Sequence, residues 1–374
     1  MGSGKNRNKP CWCGSGKKYK RCHSDRENQK PVNRFQALET FKKAKKKICA
    51  APKEHPISCE GQIIKAHTVS KSSSLKKIAK DSHVYKTLPD VLDIHRANGR
   101  PSPKLEGIND ASTFTGFCQK HDRELFSPIE NQEFNWTDER VFLVAYRAFC
   151  YEWHAKNSVS GLEDFFKSLD AGRHPIEQIY MQGWFRDFFI GTNAAVKDQK
   201  TYKNDFDRML LSQDYSKIIW VGFEFDKPPS VMGAGGFCPL QDFAGNRLQD
   251  LTDLSVISQP IYYSSFSSGN RGIFCLAWID GYGDACNKFV NSFLEIEDEN
   301  KPDEIIALLF DHSENLFLAP DWWEGLTEEQ QENLKGRSIK NGSLIEEGIP
   351  SETLSTTDCK IIKNFQSLRF PANV

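Results

Sequence analysis

Residues 10–23 read PCWCGSGKKYKRCH and combine three cysteines, one histidine and a glycine-containing turn in a single short segment. Two of the cysteines stand one residue apart, and after eight further residues a cysteine and a histidine are adjacent. This spacing lets thiolates and an imidazole close a tetrahedron around zinc, while the glycines let the backbone turn tightly. The neighbouring Lys and Arg residues favour the thiolate form that zinc binding requires. The predicted ligands are Cys11, Cys13, Cys22 and His23.

Residues 8–24 resemble the SEC-C motif, which is known from the tail of the SecA translocase and from many bacterial proteins of mixed architecture. The likeness includes the GSG turn and the adjacent Cys and His. It implies bound zinc and a bacterial source. In SecA the motif contacts the SecB chaperone and the ribosome, so the resemblance also implies a protein partner without indicating an activity.

A second group of candidate ligands is spread over residues 48–130. The stretch ICAAPKEHPISC holds two thiols ten positions apart, and FCQKHDRELF places a Cys and a His three positions apart at the start of a predicted helix. Two ligands from a loop and two from a helix start are typical of a treble-clef zinc site. The predicted ligands of this site are Cys49, Cys59, Cys118 and His121. Separate thiols buried in a core are the alternative.

The order of these residues resembles the HNH, or ββα-metal, nuclease family. A histidine follows the apolar run near the end of the predicted strand GQIIKAHTV, between the two ligand pairs, and an aspartate directly follows the second pair. The resemblance implies that His67 is a general base that activates water and that Asp122 binds a catalytic Mg²⁺ or Mn²⁺. The chain departs from the family in its wide first ligand pair and in having Thr113 where the family has its middle Asn.

Both candidate catalytic residues have a structural alternative. A histidine at the end of a strand can serve as a hydrogen-bonded structural residue. A carboxylate in the first turn of a helix stabilises the positive end of the helix dipole. The sequence leaves both roles open for His67 and Asp122.

The net charge of −1 conceals a strong asymmetry along the chain. Residues 1–100 hold 24 Lys and Arg against 8 Asp and Glu, a balance of +16, so the remainder carries −17. A basic head favours a polyanionic partner such as DNA or RNA, although it can also lie on an acidic body of the same chain. The residues predicted to contact phosphates are Lys42, Lys43, Lys45, Lys46 and Lys47. A solvated segment is the alternative for this run.

The remaining chain predicts helices first and clustered strands later. Helices are expected in SSSLKKIAKD, in TDERVFLVAYRAFCYEWHAK, in GLEDFFKSL, along EQIYMQGWFRDFFIGTNAAVKD, near 283–296 and 302–310, and from Thr327. Strands are expected in SKIIWVGFEFD, PSVMGAGGFCPL, SVISQPIYYSSF and NRGIFCLAWID, which are rich in β-branched and aromatic residues. The segment from Pro89 to Asp110 is expected to be irregular. We therefore predict an α+β fold with a mainly antiparallel sheet.

This pattern predicts four parts of the chain. They are a zinc module at 1–25, a basic linker at 26–47 that is helical or disordered, an HNH-like treble clef at 48–130 and an α+β body at 131–374. No run of eighteen apolar residues predicts a membrane span, and the N-terminus lacks the apolar stretch of a secretory signal, so a cytoplasmic protein is expected. In such a protein metal binding explains the N-terminal cysteines better than disulfides do. The cysteines assigned to packing are Cys150, Cys238, Cys275, Cys286 and Cys359.

Nucleic-acid binding with metal-dependent phosphodiester cleavage is the leading prediction, in the manner of a conditional nuclease such as one used in phage defence. The rival is a non-enzymatic adaptor in which both zinc sites are scaffolds and the SEC-C motif recruits a chaperone, a ribosome or another protein. A small-molecule enzyme is disfavoured, because the body lacks a glycine-rich phosphate loop and a nucleophile motif.

Overall fold

The computed structural model describes residues 7–44, 46–59, 61–87, 102–340, 354–357 and 359–370. The chain forms two compact units. The first comprises residues 1–46 and 153–200, and the second comprises residues 47–152 and 201–374. Among the described helices, none combines the length and the apolar character needed to cross a membrane. All eleven cysteines lie in the described residues as free thiols.

The first unit is helical. Two 3₁₀ turns, Tyr19–Arg21 and Arg26–Asn28, precede the helix α1 (Arg34–Ala44). The other helices are the last part of α5 (Asp138–Ser160), α6 (Glu163–Ser168) and most of α7 (Pro175–Ser212). Phe41 of α1 contacts Phe165 and Phe166 edge to face, and Phe166 contacts Phe185 and Phe189 in the same way. This aromatic cluster forms an apolar core for the unit.

The second unit is built around an eight-stranded sheet with the strand order β10-β5-β8-β7-β6-β9-β2-β3, and all neighbouring strands are antiparallel. Its strands are β2 (His83–Lys86), β3 (Lys104–Gly107), β5 (Ile218–Phe225), β6 (Val231–Phe237), β7 (Ile261–Ser268), β8 (Arg271–Ile279), β9 (Leu316–Leu318) and β10 (Ile361–Gln366). Every residue of β5 is buried, which indicates a strand covered on both faces.

Helices and aromatic side chains cover the two faces of this sheet. On one face Phe237 and Phe223 contact α8 (Ala285–Leu294), and α9 (Lys301–His312) belongs to the same apolar cluster. On the other face Tyr262 contacts Phe149 of α5. The second unit also contains α10 (Pro320–Gly325) and α11 (Glu328–Lys340). Helices therefore sandwich the sheet.

A smaller sheet in the second unit joins β1 (Ile63–His67) to β4 (Thr113–Cys118). The two strands are antiparallel, and His67 at the end of β1 lies opposite Thr113 at the start of β4. The helix α3 (Gln119–Leu125) begins directly after β4, followed by α4 (Ser127–Glu130). In the chain between β1 and β4, a π-helical turn (Lys71–Leu75) continues into the short helix α2 (Lys76–Ile78). The Ser70 hydroxyl accepts a hydrogen bond from the Ser73 amide in the first turn of the π-helix.

The α+β class and the antiparallel sheet are confirmed. The four long strand predictions correspond to β5, β6, β7 and β8, and the helix predictions after Thr137 also have counterparts. The expectation of an irregular segment from Pro89 to Asp110 is wrong for Lys104–Gly107, which forms β3 because it pairs with β2 at the sheet edge. The part of that segment at residues 89–101 lies outside the described residues. The predicted domain boundaries stay a prediction.

Candidate metal centres

The first candidate centre is formed by a tight loop in the N-terminal unit. The Cys11 amide donates to the carbonyl of Lys17 at 2.8 Å, and the Gly14 amide donates to the carbonyl of Cys11 at 3.2 Å. Gly14 and Gly16 have φ values of +74° and +71°, which a residue with a Cβ rarely adopts. The 3₁₀ turn that starts at Tyr19 then returns the chain to the loop. The next two residues are Cys22 and His23.

The four predicted ligands of this loop converge. Their sulfur and nitrogen atoms all lie within 4.8 Å of one another. Cys11 Sγ is 3.2 Å from His23 Nδ1, and Cys13 Sγ is 3.5 Å from Cys22 Sγ. Tetrahedral zinc with bonds of about 2.3 Å to sulfur and about 2.0 Å to nitrogen separates its ligand atoms by about 3.5–3.8 Å. Small outward shifts would therefore admit the ion, and the donor set fits zinc.

The thiols of this loop differ in acidity. Burial raises the pKa of the Cys11 thiol to about 12. Burial also acts on Cys13, but hydrogen bonds from Ser15 outweigh it and lower the pKa of that thiol to about 7. A cation among the sulfurs offsets the cost of holding several buried thiolates together.

A carboxylate distant in the sequence holds the histidine of this centre. His23 Nε2 donates to Asp170 Oδ2 at 2.8 Å, so Nδ1 is left to face the thiols. Arg26 Nε donates to Asp170 Oδ1 at 2.5 Å, and Gln182 donates to Oδ2 at 2.7 Å. Although burial opposes it, these hydrogen bonds keep the pKa of Asp170 below its usual value. Metal-ligating histidines are commonly oriented by such a carboxylate. No spacing rule in the sequence pointed to Asp170 or Arg26.

The second candidate centre gathers ligands from four places in the second unit. Cys49 lies on a segment that pairs with β4, because the amides of Ile48 and Ala50 donate to β4 carbonyls. Cys59 belongs to the loop before β1, and Cys118 ends β4. The fourth residue, His121, stands in the first turn of α3. The strand pairing between β1 and β4 therefore brings the ligands together.

The geometry of this centre also fits zinc. Its four ligand atoms lie within 4.8 Å of one another. His121 Nδ1 is 3.2 Å from Cys118 Sγ and 3.4 Å from Cys49 Sγ. The other ring nitrogen of His121, Nε2, is buried and has no hydrogen-bond partner in the described part of the chain. The ring of His55 stands edge-on to His121, with centroids 5.4 Å apart. Burial raises the pKa of the Cys49 thiol to about 12.

The histidine predicted as a general base is half-buried at the end of β1. His67 Nε2 lies 3.3 Å from the carbonyl oxygen of Ile108. Because a carbonyl only accepts, Nε2 carries the proton and Nδ1 keeps its lone pair. Burial lowers the pKa of His67. The Ile108 hydrogen bond and Glu130 act in the opposite direction, and the charges of Lys71 and Arg147 lower it further.

The aspartate predicted as a metal ligand lies in the first turn of α3. Its Oδ1 is buried without a hydrogen-bond partner in the described residues. Burial raises the pKa of Asp122 to about 6, with Arg147 lowering it and Glu130 raising it. Within the described ranges, the two groups of converging metal-binding side chains contain neither His67 nor Asp122. The same Arg147 and Glu130 nevertheless act electrostatically on both residues, and the sequence offered no sign of this pair.

The basic run lies at the end of α1 and in the following segment. Lys42, Lys43, Lys46 and Lys47 are exposed, and Lys45 lies outside the described residues. Lys42 is 3.6 Å from Glu39, an exposed ion pair of little energetic weight. The described part of the run therefore presents its charge to solvent.

Comparison with known proteins assigns the first centre. The SEC-C motif matches residues 7–25, which contain all four of its predicted ligands. No curated protein and no solved structure matches the chain. The chain thus carries a SEC-C motif with zinc-binding chemistry, joined to a second Cys₃His group that fits the same metal.

Proposed function

We propose that this protein is a zinc-stabilised nucleic-acid-binding protein that hydrolyses phosphodiester bonds by HNH-type chemistry. The observation that carries the proposal is His67 at the end of β1, with Nε2 bonded to a carbonyl and Nδ1 holding a lone pair. A neutral histidine with one oriented nitrogen and a lowered pKa suits a general base near neutral pH.

The local topology supports the same proposal. Two antiparallel strands are followed directly by a helix, and the second Cys₃His group joins the end of the second strand to the first turn of that helix. This arrangement resembles that of a ββα-metal module, with β2 and β3 inserted in the chain between its two strands. His67 ends the first strand, and Asp122 stands in the first turn of the helix.

In the proposed reaction, His67 Nδ1 removes a proton from water as the water oxygen attacks phosphorus. The new P–O bond forms as the bond to the leaving sugar oxygen breaks. That oxygen takes up a proton from solvent water, and protonated His67 returns its proton to solvent. A Mg²⁺ or Mn²⁺ held at Asp122 would stabilise negative charge on the phosphate and on the leaving oxygen. The zinc ions in both centres would be structural.

The exposed lysines at the end of α1 supply the proposed contact with the nucleic-acid backbone. Lysines bind phosphates irrespective of base sequence and release counterions as they do so. We further propose a bacterial, cytoplasmic setting and a conditional nuclease, for example in phage defence, in which the C-terminal body responds to a trigger.

Cleavage by matched variants tests the proposal. Wild type and His67→Ala are prepared identically and assayed with Mg²⁺ or Mn²⁺ on single- and double-stranded DNA and RNA. His67→Ala is expected to lose about 10²–10⁴-fold in rate, the usual cost of losing a positioned base. His83→Ala removes an exposed histidine from β2 and serves as the control, which should cleave like wild type.

Zinc content and nucleic-acid binding should survive in His67→Ala, because neither role is assigned to this residue. Asp122→Ala should also lose cleavage, with partial recovery in excess Mn²⁺. Equal cleavage by wild type and His67→Ala would contradict the proposal. Absence of cleavage by wild type on all four substrates would favour the adaptor instead.

The adaptor alternative has its own support in the N-terminal unit. The helix α7 exposes large apolar side chains at a spacing of four residues, in the unit that holds the SEC-C motif. Tyr180 is 76% exposed and Trp184 58%. Such exposed apolar surface is typical of sites that bind other proteins. In this alternative the two zinc centres are scaffolds, and the SEC-C motif recruits a chaperone, a ribosome or another protein.

A further inference from the structure

A small pocket with charged and hydroxyl-bearing residues in its lining lies near the proposed catalytic histidine in the second unit. Its walls come from the segment directly after β1, from α4 and α5, and from β7. Thr68 and Ser70, which line it, follow His67 closely in the chain. Its lining includes Arg147, Glu130, Thr68, Ser70, Ser73, Ser74, Ser264 and Ser265. Six of these side chains carry hydroxyl groups, which is an unusual concentration for the interior of a domain.

The guanidinium of Arg147, which lines this pocket, has two hydrogen-bond donors without an acceptor among the described residues. Arg147 is 4% exposed, and its Nη1 donates to Glu130 Oε1 at 2.9 Å. Its Nε and Nη2 are buried without a hydrogen-bond partner among the described residues. The guanidinium also lies over the ring of Phe126 at 4.0 Å from the centroid, which holds its plane in place. An unsatisfied buried donor on a charged group is costly, so a ligand is expected.

The arrangement of the two free donors indicates the ligand's chemistry. Nε–H and Nη2–H lie on the same edge of the guanidinium and point in parallel, which matches two oxygens of one phosphate. The hydroxyls of Ser73 and Ser264 line the same pocket and can donate as well. Glu130 is the acidic residue in the lining, and its charge is engaged by Nη1 of Arg147.

The pocket is small. About 30 Å³ is open to the centres of water-sized groups, which is room for a compact anion built of a few oxygen atoms. We propose that this pocket binds a phosphate group, with two of its oxygens on the Nε and Nη2 edge of Arg147 and with serine hydroxyls completing the contacts.

This inference deepens the proposed function, since a phosphate held beside His67 would belong to the nucleic-acid backbone. It does not require cleavage, because binding of phosphate by Arg147 is independent of proton transfer at His67. Binding with no cleavage would therefore support the pocket and count against hydrolysis. Cleavage that is unchanged by substitution of the pocket residues would support hydrolysis and count against the pocket.

Titration calorimetry on the full-length, zinc-loaded chain tests the inference with two probes. Inorganic phosphate represents the free anion, and thymidylyl-thymidine represents a backbone phosphodiester without a terminal phosphate. Either probe binding at the pocket supports the proposal, and the difference between them identifies the source of the group. Failure of both probes to bind wild type would overturn it and leave water as the occupant.

Two variants that break the same ion pair should have opposite effects. Arg147→Gln removes the forked donors and is expected to weaken binding at least tenfold. Glu130→Gln removes the competing negative charge, although its amide oxygen can still accept from Nη1, so it should tighten binding of the anion severalfold. A merely structural ion pair would make both variants weaker, or neither, and either result would overturn the proposal.

Arg337→Gln is the matched control, because Arg337 is also buried and paired to a carboxylate, Asp311, at 2.7 Å, but lies outside the pocket lining. It should bind the probes like wild type, and equal loss in this variant would overturn the assignment. Circular dichroism and zinc content establish that each variant is folded. If Arg147→Gln does not fold, Ser264→Val is used instead. The affinity of this variant for the probes should fall severalfold, and unchanged binding would count against the pocket.

Discussion

The two candidate metal centres use the same donor set, three cysteines and one histidine, but obtain it in different ways. In the first, residues 11–23 contain every ligand, and the loop closes through its own backbone hydrogen bonds and two glycines with positive φ. In the second, the ligands extend from Cys49 to His121, and only the pairing of β4 with its neighbours brings them together. A local centre can form from its own sequence, whereas a dispersed centre depends on the fold around it.

The centres also differ in the hydrogen bonding of the histidine Nε2 atom, the ring nitrogen that does not face the thiols. His23 is bonded through Nε2 to a fully buried aspartate that is itself held by Arg26 and Gln182. His121 has its Nε2 buried with no partner in the described residues. The first centre therefore adds an oriented carboxylate to a self-contained loop, while the second relies on strand pairing alone. This difference leads to separate expectations for each centre.

The largest expected effect is the loss of a ligand from the dispersed centre. Cys118→Ser should lose one zinc and lower the unfolding temperature of the second unit, because structural zinc and folding are coupled. Cys22→Ser should also lose one zinc but leave the second unit folded, since its loop lies in the other unit. Metal analysis and calorimetry of both variants measure this. If Cys118→Ser retained two zinc ions, Cys118 would not be a ligand that the second centre requires, and the contrast between the two centres would fail.

The carboxylate behind His23 provides the next test. Asp170→Asn keeps the shape of the side chain but removes its charge, so zinc affinity at the first centre should fall about 10–100-fold. The second centre, which lacks such a carboxylate among the described residues, should keep its affinity in the same variant. Competition with a chelator measures the release of zinc from each of the two centres separately. Equal weakening of both centres would show that the effect is not local to His23.

The pH dependence of cleavage should reflect the environment of His67. Burial and the charges of Lys71 and Arg147 lower its pKa, while the Ile108 carbonyl and Glu130 oppose the shift. The neutral form is the active one, so activity is expected to be full above the folded pKa and lost as the pH falls through it. The midpoint of this acidic limb should lie below the ordinary value of 6.5, with about a tenfold loss per pH unit beyond it.

Lys71→Gln sharpens this test by removing one of the positive charges. The pKa of His67 should then rise, and the acidic limb of the rate profile should move to higher pH. Zinc content should stay unchanged, because the variant leaves both Cys₃His groups intact. A midpoint above 6.5 in wild type, or a limb that does not move in Lys71→Gln, would contradict the role of His67 as a base.

The smallest effect concerns the exposed lysines at the end of α1 and in the segment that follows it. Neutralising Lys42, Lys43, Lys46 and Lys47 should flatten the dependence of nucleic-acid affinity on salt. On duplex DNA the logarithmic slope should fall by up to about 0.9 for each phosphate that a lysine no longer neutralises. Binding measured across a range of salt concentrations gives the slope. An unchanged slope would assign this run to a solvated segment.

Local features of the chain were readable without the fold. The spacing of Cys11, Cys13, Cys22 and His23 predicted a group that the structure brings together, because short-range geometry alone decides it. The long runs of β-branched and aromatic residues predicted β5 to β8, since such runs fit a sheet buried on both faces. The order of strand, thiol and helix start around His121 also indicated the dispersed ligand set.

Tertiary structure alone decided the partners of these groups. Asp170 lies far from His23 in the chain, and Arg147 occupies a helix that carries no nucleic-acid motif, so neither role had a sequence signal. The pairing of β2 and β3 at the edge of the large sheet likewise depends on contacts with β9. Residue spacing determines which side chains can meet within one loop, but only the folded chain determines which distant charges and donors surround them.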